Sequence, residues 1–107
     1  MATSTLVDLT RKRIIELAER SRGTSTAKRF ALIDDEHQQY GLIVAGWEKA
    51  KRVSGITLLV TIEEDRVFIH HDGTMPGFAD YLIENGVPPD KIVLAFYREP
   101  FTADLAA

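Results

Sequence analysis

Apolar residues recur along the first twenty positions with the spacing of a helix. Leu6, Val7, Leu9, Ile14, Ile15, Leu17 and Ala18 share one broad face at about 100° per residue. Asp8, Lys12, Glu16 and Arg20 step down the opposite face at four-residue intervals and alternate in sign. Such a ladder adds about 0.3 kcal/mol per pair. The pattern predicts a helix over 6–21, with Thr5 as N-cap, Asp8 near the positive end and Gly23 as the stop. The period then changes. Segments 29–34 and 40–47 read as strands, joined by the polar run 35–39. Segment 52–62 alternates, which sends Ile56, Leu58, Val60 and Ile62 to one side and Gly55, Thr57, Leu59 and Thr61 to the other. Glu63, Glu64 and Asp65 turn the chain into a fourth strand, 66–71. Links this short favour antiparallel hairpins, because parallel pairing needs a long crossover.

The second half continues with a turn at Asp72-Gly73. Thr74 is placed to cap a second helix that runs to Asn85, with Pro76 in its first turn and Gly86 just past its end. Phe78, Ala79, Leu82 and Ile83 form its expected buried stripe. The proline pair Pro88-Pro89 stiffens the next link. Segment 92–97 is an unbroken apolar run, the signature of a strand buried on both faces or at an interface. Segment 98–107 has no regular pattern. The prediction is an α+β fold: one domain over 1–107, a mainly antiparallel sheet of four to five strands, an N-terminal helix, and a second helix after strand four.

Composition narrows the chemistry. The chain has 107 residues, 45% hydrophobic and 27% charged, which suits a packed domain rather than a disordered one. It has no cysteine, so disulfides, cysteine zinc sites, iron–sulfur clusters and thiol catalysis are excluded. The net charge is -3, against the strong positive charge of a DNA-coating protein. The charge is uneven: residues 1–52 carry ten Lys/Arg and seven Asp/Glu, and the remainder carry three and nine. Such a polarised chain favours association with another surface. No apolar run approaches the ~20 residues of a membrane span, and the N-terminus lacks a signal-peptide pattern. The expected compartment is the cytoplasm, away from membranes.

His70-His71-Asp72 invites a metal or acid–base reading, but neighbours on a strand point to opposite faces, and two ligands do not make a site. His37 falls in a polar loop. The carboxylate runs 34–36 and 63–65 lie at turns, where water keeps them solvated. No serine sits in a nucleophile frame and no glycine spacing cradles a phosphate. The N–H groups after Thr74 could bind an anion, but ordinary capping is the favoured reading, because every helix start has such groups. Basic residues on the first helix are interleaved with acids, so they form no continuous phosphate stripe. Trp47 with Lys49, Lys51 and Arg52 could form a small stacking-plus-phosphate patch, but an aromatic at a strand end packed onto the core is the favoured reading. The expectation from the residues is no catalytic centre, no metal and no cofactor.

Beyond these, an ordered set of residues carries a resemblance. Gly46-Trp47 followed by Arg52 and Gly55, then Asp72-Gly73-Thr74, then Gly77, Ala79, Asp80, Leu82, Gly86, Pro88, Ile92 and Phe96 resemble the XisI-like family, the fdxN element excision controlling factors. The likeness runs from Leu6 to Phe96. It departs after Phe96, where Tyr97-Arg98-Glu99-Pro100 replaces the family's His-Pro-Pro and longer tail. Residues 59–62 also replace a more polar strand. The matched residues are expected to be structural or interfacial: Gly46 and Gly55 for bulges or close packing, Gly73 and Gly86 for positive φ.

The resemblance implies a role in programmed excision of a DNA element in filamentous cyanobacteria, beside a site-specific recombinase. It also implies a companion, XisH, a protein with a nuclease-like fold. The expectation is a non-catalytic accessory factor acting through protein partners, with direct DNA binding left open. A partner or antitoxin-like subunit of an XisH-type protein is the first alternative, and a small ligand-sensing domain the second. A homodimer paired across an exposed edge strand is a further expectation.

Overall fold

The computed structural model describes residues 2–20 and 26–95. Its elements in chain order are α1 (Thr3–Glu19), β1 (Lys28–Asp34), β2 (Gln39–Glu48), β3 (Lys51–Glu63), β4 (Arg66–Asp72), α2 (Phe78–Glu84), a single 3-10 turn (Pro89–Lys91) and β5 (Ile92–Leu94). The five strands form one sheet in sequence order. β1 to β4 pair as antiparallel neighbours, and β5 joins β4 in parallel after the chain crosses over through α2. The α+β architecture read from the sequence is therefore present, with a parallel edge strand added.

Both helices lie on one face of the sheet, which defines the inner face. Leu6, Ile14 and Leu17 of α1 and Phe78 and Leu82 of α2 pack with Leu42, Leu58, Val60, Ile62, Val67 and Ile69 in the core. The helical ladder of Asp8, Lys12, Glu16 and Arg20 faces solvent, as its pattern requires. Amphipathicity thus decides which side of α1 docks, and burial of the apolar stripe stabilises it.

Several local expectations are corrected. α1 begins at Thr3 with Ala2 as N-cap and no side-chain cap, so Thr5 is inside the helix; the expected stop at Gly23 lies outside the described residues. Ile15 leaves the stripe and is exposed, whereas Thr10 is fully buried. Ile83 of α2 is likewise exposed rather than part of the buried stripe. Within the run 92–97, Ile92–Leu94 forms a strand, which is a half-buried edge of the sheet rather than a doubly buried centre. Phe96 lies outside the described residues.

Two irregularities in β3 and β4 change which side chains face the core. Leu42 pairs with Leu58 but Ile43 pairs with Ile56, so Thr57 is an extra residue. Paired residues in an antiparallel ladder share a face, so this bulge turns Ile56 away from the side that holds Leu58. Ile56 is accordingly 51% exposed, while Leu58 and Val60 are fully buried. A second skip, between Leu59–His71 and Val60–Ile69, leaves His70 as the extra residue of β4.

Candidate interaction surface and family membership

The bulges and the pairing register assemble an outer face with no helix over it among the described residues. Phe30 of β1, Ile43 of β2 and Ile56 of β3 stand in one cross-strand row. Leu32, Gly41, Leu59 and His71 form the next row. Phe30 is 47% exposed and Leu32 49%. Apolar side chains normally seek cover, and a contiguous exposed patch of them marks a surface that another molecule covers. Beside this patch a groove of about 510 Å³ is lined by Leu32, Gly41, Leu59, Tyr40 and neighbouring residues of β1. Its open shape arises where Gly41 has no side chain between two leucines.

Trp47 lies on the same face, at the end of β2. It is exposed rather than packed onto the core, contrary to expectation, and pairs directly with Arg52, whose guanidinium lies 5.7 Å from its ring centroid. Lys49, in the hairpin turn at φ 60, and Lys51 are exposed beside it. Gly46, next to Trp47, adopts φ 145, and a Cβ there would lie 2.8 Å from the Ala27 Cα. The close approach of the chain entering β1 therefore demands glycine. Gly55 meets no such demand: a Cβ would find nothing within 4 Å. The nearby bulge belongs to Thr57 instead.

The Asp72-Gly73-Thr74 motif forms a capping centre. One Asp72 carboxylate oxygen accepts from the Thr74 amide at 2.9 Å and from the Thr74 hydroxyl at 2.5 Å. The other accepts from the Phe78 amide at 2.7 Å. Asp72, not Thr74, caps α2, with Gly77 at the N-cap position. A carboxylate already seated there answers the anion-binding alternative, because it supplies the negative charge that the helix start attracts. Gly73 does not take the expected positive φ; it sits close to β3, its amide donating to the Thr57 carbonyl at 2.7 Å. Gly86 does adopt the helix-ending conformation, at φ 92. Ala79 is half-buried against the core, Asp80 is exposed in the first turn of α2, and Pro88 precedes the 3-10 turn that leads to Ile92.

The polar groups removed from water serve packing. The Tyr40 hydroxyl donates to Asp35 at 3.0 Å, and Arg11 of α1 approaches the same carboxylate at 3.4 Å. Burial, then the Asp35 carboxylate, pushes the Tyr40 phenol up to about 12. The Tyr81 hydroxyl donates to the Leu9 carbonyl at 3.2 Å, tying α2 to α1, and burial raises its pKa. Arg13 lies 4.9 Å from the Tyr81 ring centroid. Asp34 is held below the usual carboxylate range by the His37 amide and ring, the latter at 2.9 Å. His70 bonds the Thr61 hydroxyl at 2.9 Å. Among the described residues, no three His, Asp or Glu side chains gather as metal ligands, and no helix is long and apolar enough to cross a membrane. Thr10 is buried without having been singled out in the sequence, although its place between Leu6 and Ile14 on the buried stripe was a signal. The Trp47–Arg52 pair belongs to the patch that the sequence offers beside the core-packed reading.

Comparison with known proteins agrees with this architecture. No curated protein matches the sequence. The fdxN element excision controlling factor XisI from Anabaena variabilis ATCC 29413 has a similar structure, with a TM-score of 0.72 and 26% identity, covering 87% of this chain and 90% of that one. A XisI-like protein from the same organism shares the fold, with a TM-score of 0.76 and 21% identity over 85% of this chain and 84% of that one. The family model for the XisI protein matches residues 4–104. A match across nearly the whole sequence, on a fold shared with solved members, places the chain in the XisI family.

Proposed function

We propose that this chain is a non-catalytic controlling factor in DNA element excision, and that it works by holding a protein partner on the outer face of its sheet. The observation that carries this reading is the exposed apolar surface of Phe30, Leu32, Ile56 and Trp47, on a sheet whose other face packs against both helices. The similar XisI of Anabaena variabilis, named as an excision controlling factor, supports the biological setting. A XisH-like protein of nuclease-like fold is the proposed partner, acting with a site-specific recombinase. The polar groups support a non-enzymatic reading, since Tyr40, Tyr81 and Asp72 are engaged in tying elements together.

The test is co-expression with a XisH-like protein and purification of the pair. A stoichiometric complex is expected, and Ile56→Glu should reduce it at least tenfold while leaving the fold intact, because Ile56 makes no part of the core. A complex indifferent to Ile56→Glu and to Trp47→Ala would place the partner elsewhere. A second reading is direct contact with DNA through the hairpin tip, favoured by the Trp47–Arg52 stack beside Lys49 and Lys51. That contact requires a duplex mobility shift at low salt that weakens as salt rises. No shift with the isolated protein eliminates it.

A further inference from the structure

β1 is an edge of the sheet, with no strand beyond it among the described residues. It is seven residues long, spanning about 24 Å at ~3.4 Å per residue, whereas the opposite edge, β5, has three residues. A long edge strand with apolar side chains is a template for another strand unless charge or geometry blocks it. In β1, Lys28, Phe30, Leu32 and Asp34 share the outer face, since their partners Ala45, Ile43, Gly41 and Gln39 alternate along β2. Positive, apolar, apolar, negative is a self-complementary order when read against its own reverse.

We infer that two copies of this chain pair antiparallel through β1, about a two-fold axis at Ala31, to give one continuous ten-stranded sheet. In that register Lys28 of each copy stands opposite Asp34 of the other, and Phe30 opposite Leu32. Both charge pairs are attractive and both apolar pairs are covered, on the same face. Sliding the axis to Leu32 sets Phe30 against Asp34, and sliding it to Phe30 sets Lys28 against Leu32, so charge and hydrophobicity select one register. The pairing also carries Phe30 of the second copy to the end of the row Leu32, Gly41, Leu59, at the mouth of the groove of about 510 Å³. The inner side of the seam places Ala31 against Ala31, a small pair that admits close backbone approach. A two-fold contact of this kind is closed, so it ends at the dimer. The inference goes beyond the partner-binding function and does not rest on it, since it concerns the chain alone.

The experiment is sedimentation equilibrium of the full chain over a wide concentration range, without any partner. A reversible dimer is expected. Lys28→Asp should weaken it about tenfold or more, because two like-charged pairs replace two attractive ones. Asp34→Lys should do the same, and the double variant Lys28→Asp/Asp34→Lys should return the dissociation constant to within about threefold of the parent. Asp34→Lys also removes the His37 contact, so amide exchange gives a second readout: protection of the β1 amides should rise with protein concentration in the unaltered chain. A monomer at every concentration up to millimolar overturns the inference. So does a dimer that ignores the β1 variants but is lost in Ile56→Asp, which would mean face-to-face stacking of two sheets.

Discussion

On the inner face of the sheet, Leu42, Leu58, Val60, Val67 and Ile69 are fully buried beneath two helices, whereas on the outer face Phe30, Leu32 and Ile56 stay about half exposed. The side chains are of the same kind. What differs is what lies over them. The inner face was closed by segments of the same chain, and the energy of that closure stabilises the monomer. The outer face holds the same kind of apolar surface unspent within the chain, available to a second molecule. One side folds the domain, and the other is the side on which we propose a partner binds.

The contrast breaks most sharply with one truncation on each face. Leu58→Ala should destabilise the fold by about 2–5 kcal/mol, because the buried site leaves a cavity, whereas Ile56→Ala should cost under about 1 kcal/mol. Urea unfolding followed by circular dichroism measures both, and equal costs would mean that the outer face is covered. Next in size is the junction of β4 with α2. Asp72→Ala removes the acceptor of the Thr74 and Phe78 amides and should cost about 1–2 kcal/mol, read by the same unfolding curves. Gly46→Ala, which forces a Cβ against the Ala27 backbone at an unfavourable φ, should cost about 1–3 kcal/mol.

Smaller effects sharpen the inner face. Tyr40 is protonated more tightly in the folded chain than in the unfolded one, where a phenol titrates near 10. Its contribution is complete below pH 10 and is lost as pH rises towards about 12. Stability should therefore fall across that window, and Tyr40→Phe should flatten the fall in a pH series of unfolding curves. The smallest effect is expected at Thr10, whose buried hydroxyl has no hydrogen-bond partner among the described residues. Thr10→Val should be neutral or stabilising by up to about 1 kcal/mol, since it removes an uncompensated polar group of the same shape. A loss of more than that would reveal a partner for the hydroxyl.

Helices, strands and their antiparallel order were legible because their signals are local: the 3.6-residue stripe of α1, the alternation of 58–62, the turn residues between them. Of the residues that carry the family resemblance, Gly46, Gly86 and Asp72 each meet a specific backbone demand. What was not legible depended on pairing. Ile56 continues the alternation of Leu58, Val60 and Ile62 in the sequence, and only the extra residue at Thr57 sends it to the other face. Trp47 sits at a strand end that could turn either way, and its exposure follows from its place opposite Arg52. The sequence points to Thr74 as the cap of α2, whereas the acceptor comes from Asp72, six residues before the amide it binds.

The sequence by itself determined which segments are helical or extended and that each strand would present two sides, because propensity and periodicity act over a few neighbouring residues. Only the tertiary structure decided which of those two sides the helices would cover and which would be left open along β1. That choice depends on register, bulges and the crossover through α2, and these are settled by contacts between residues far apart in the chain.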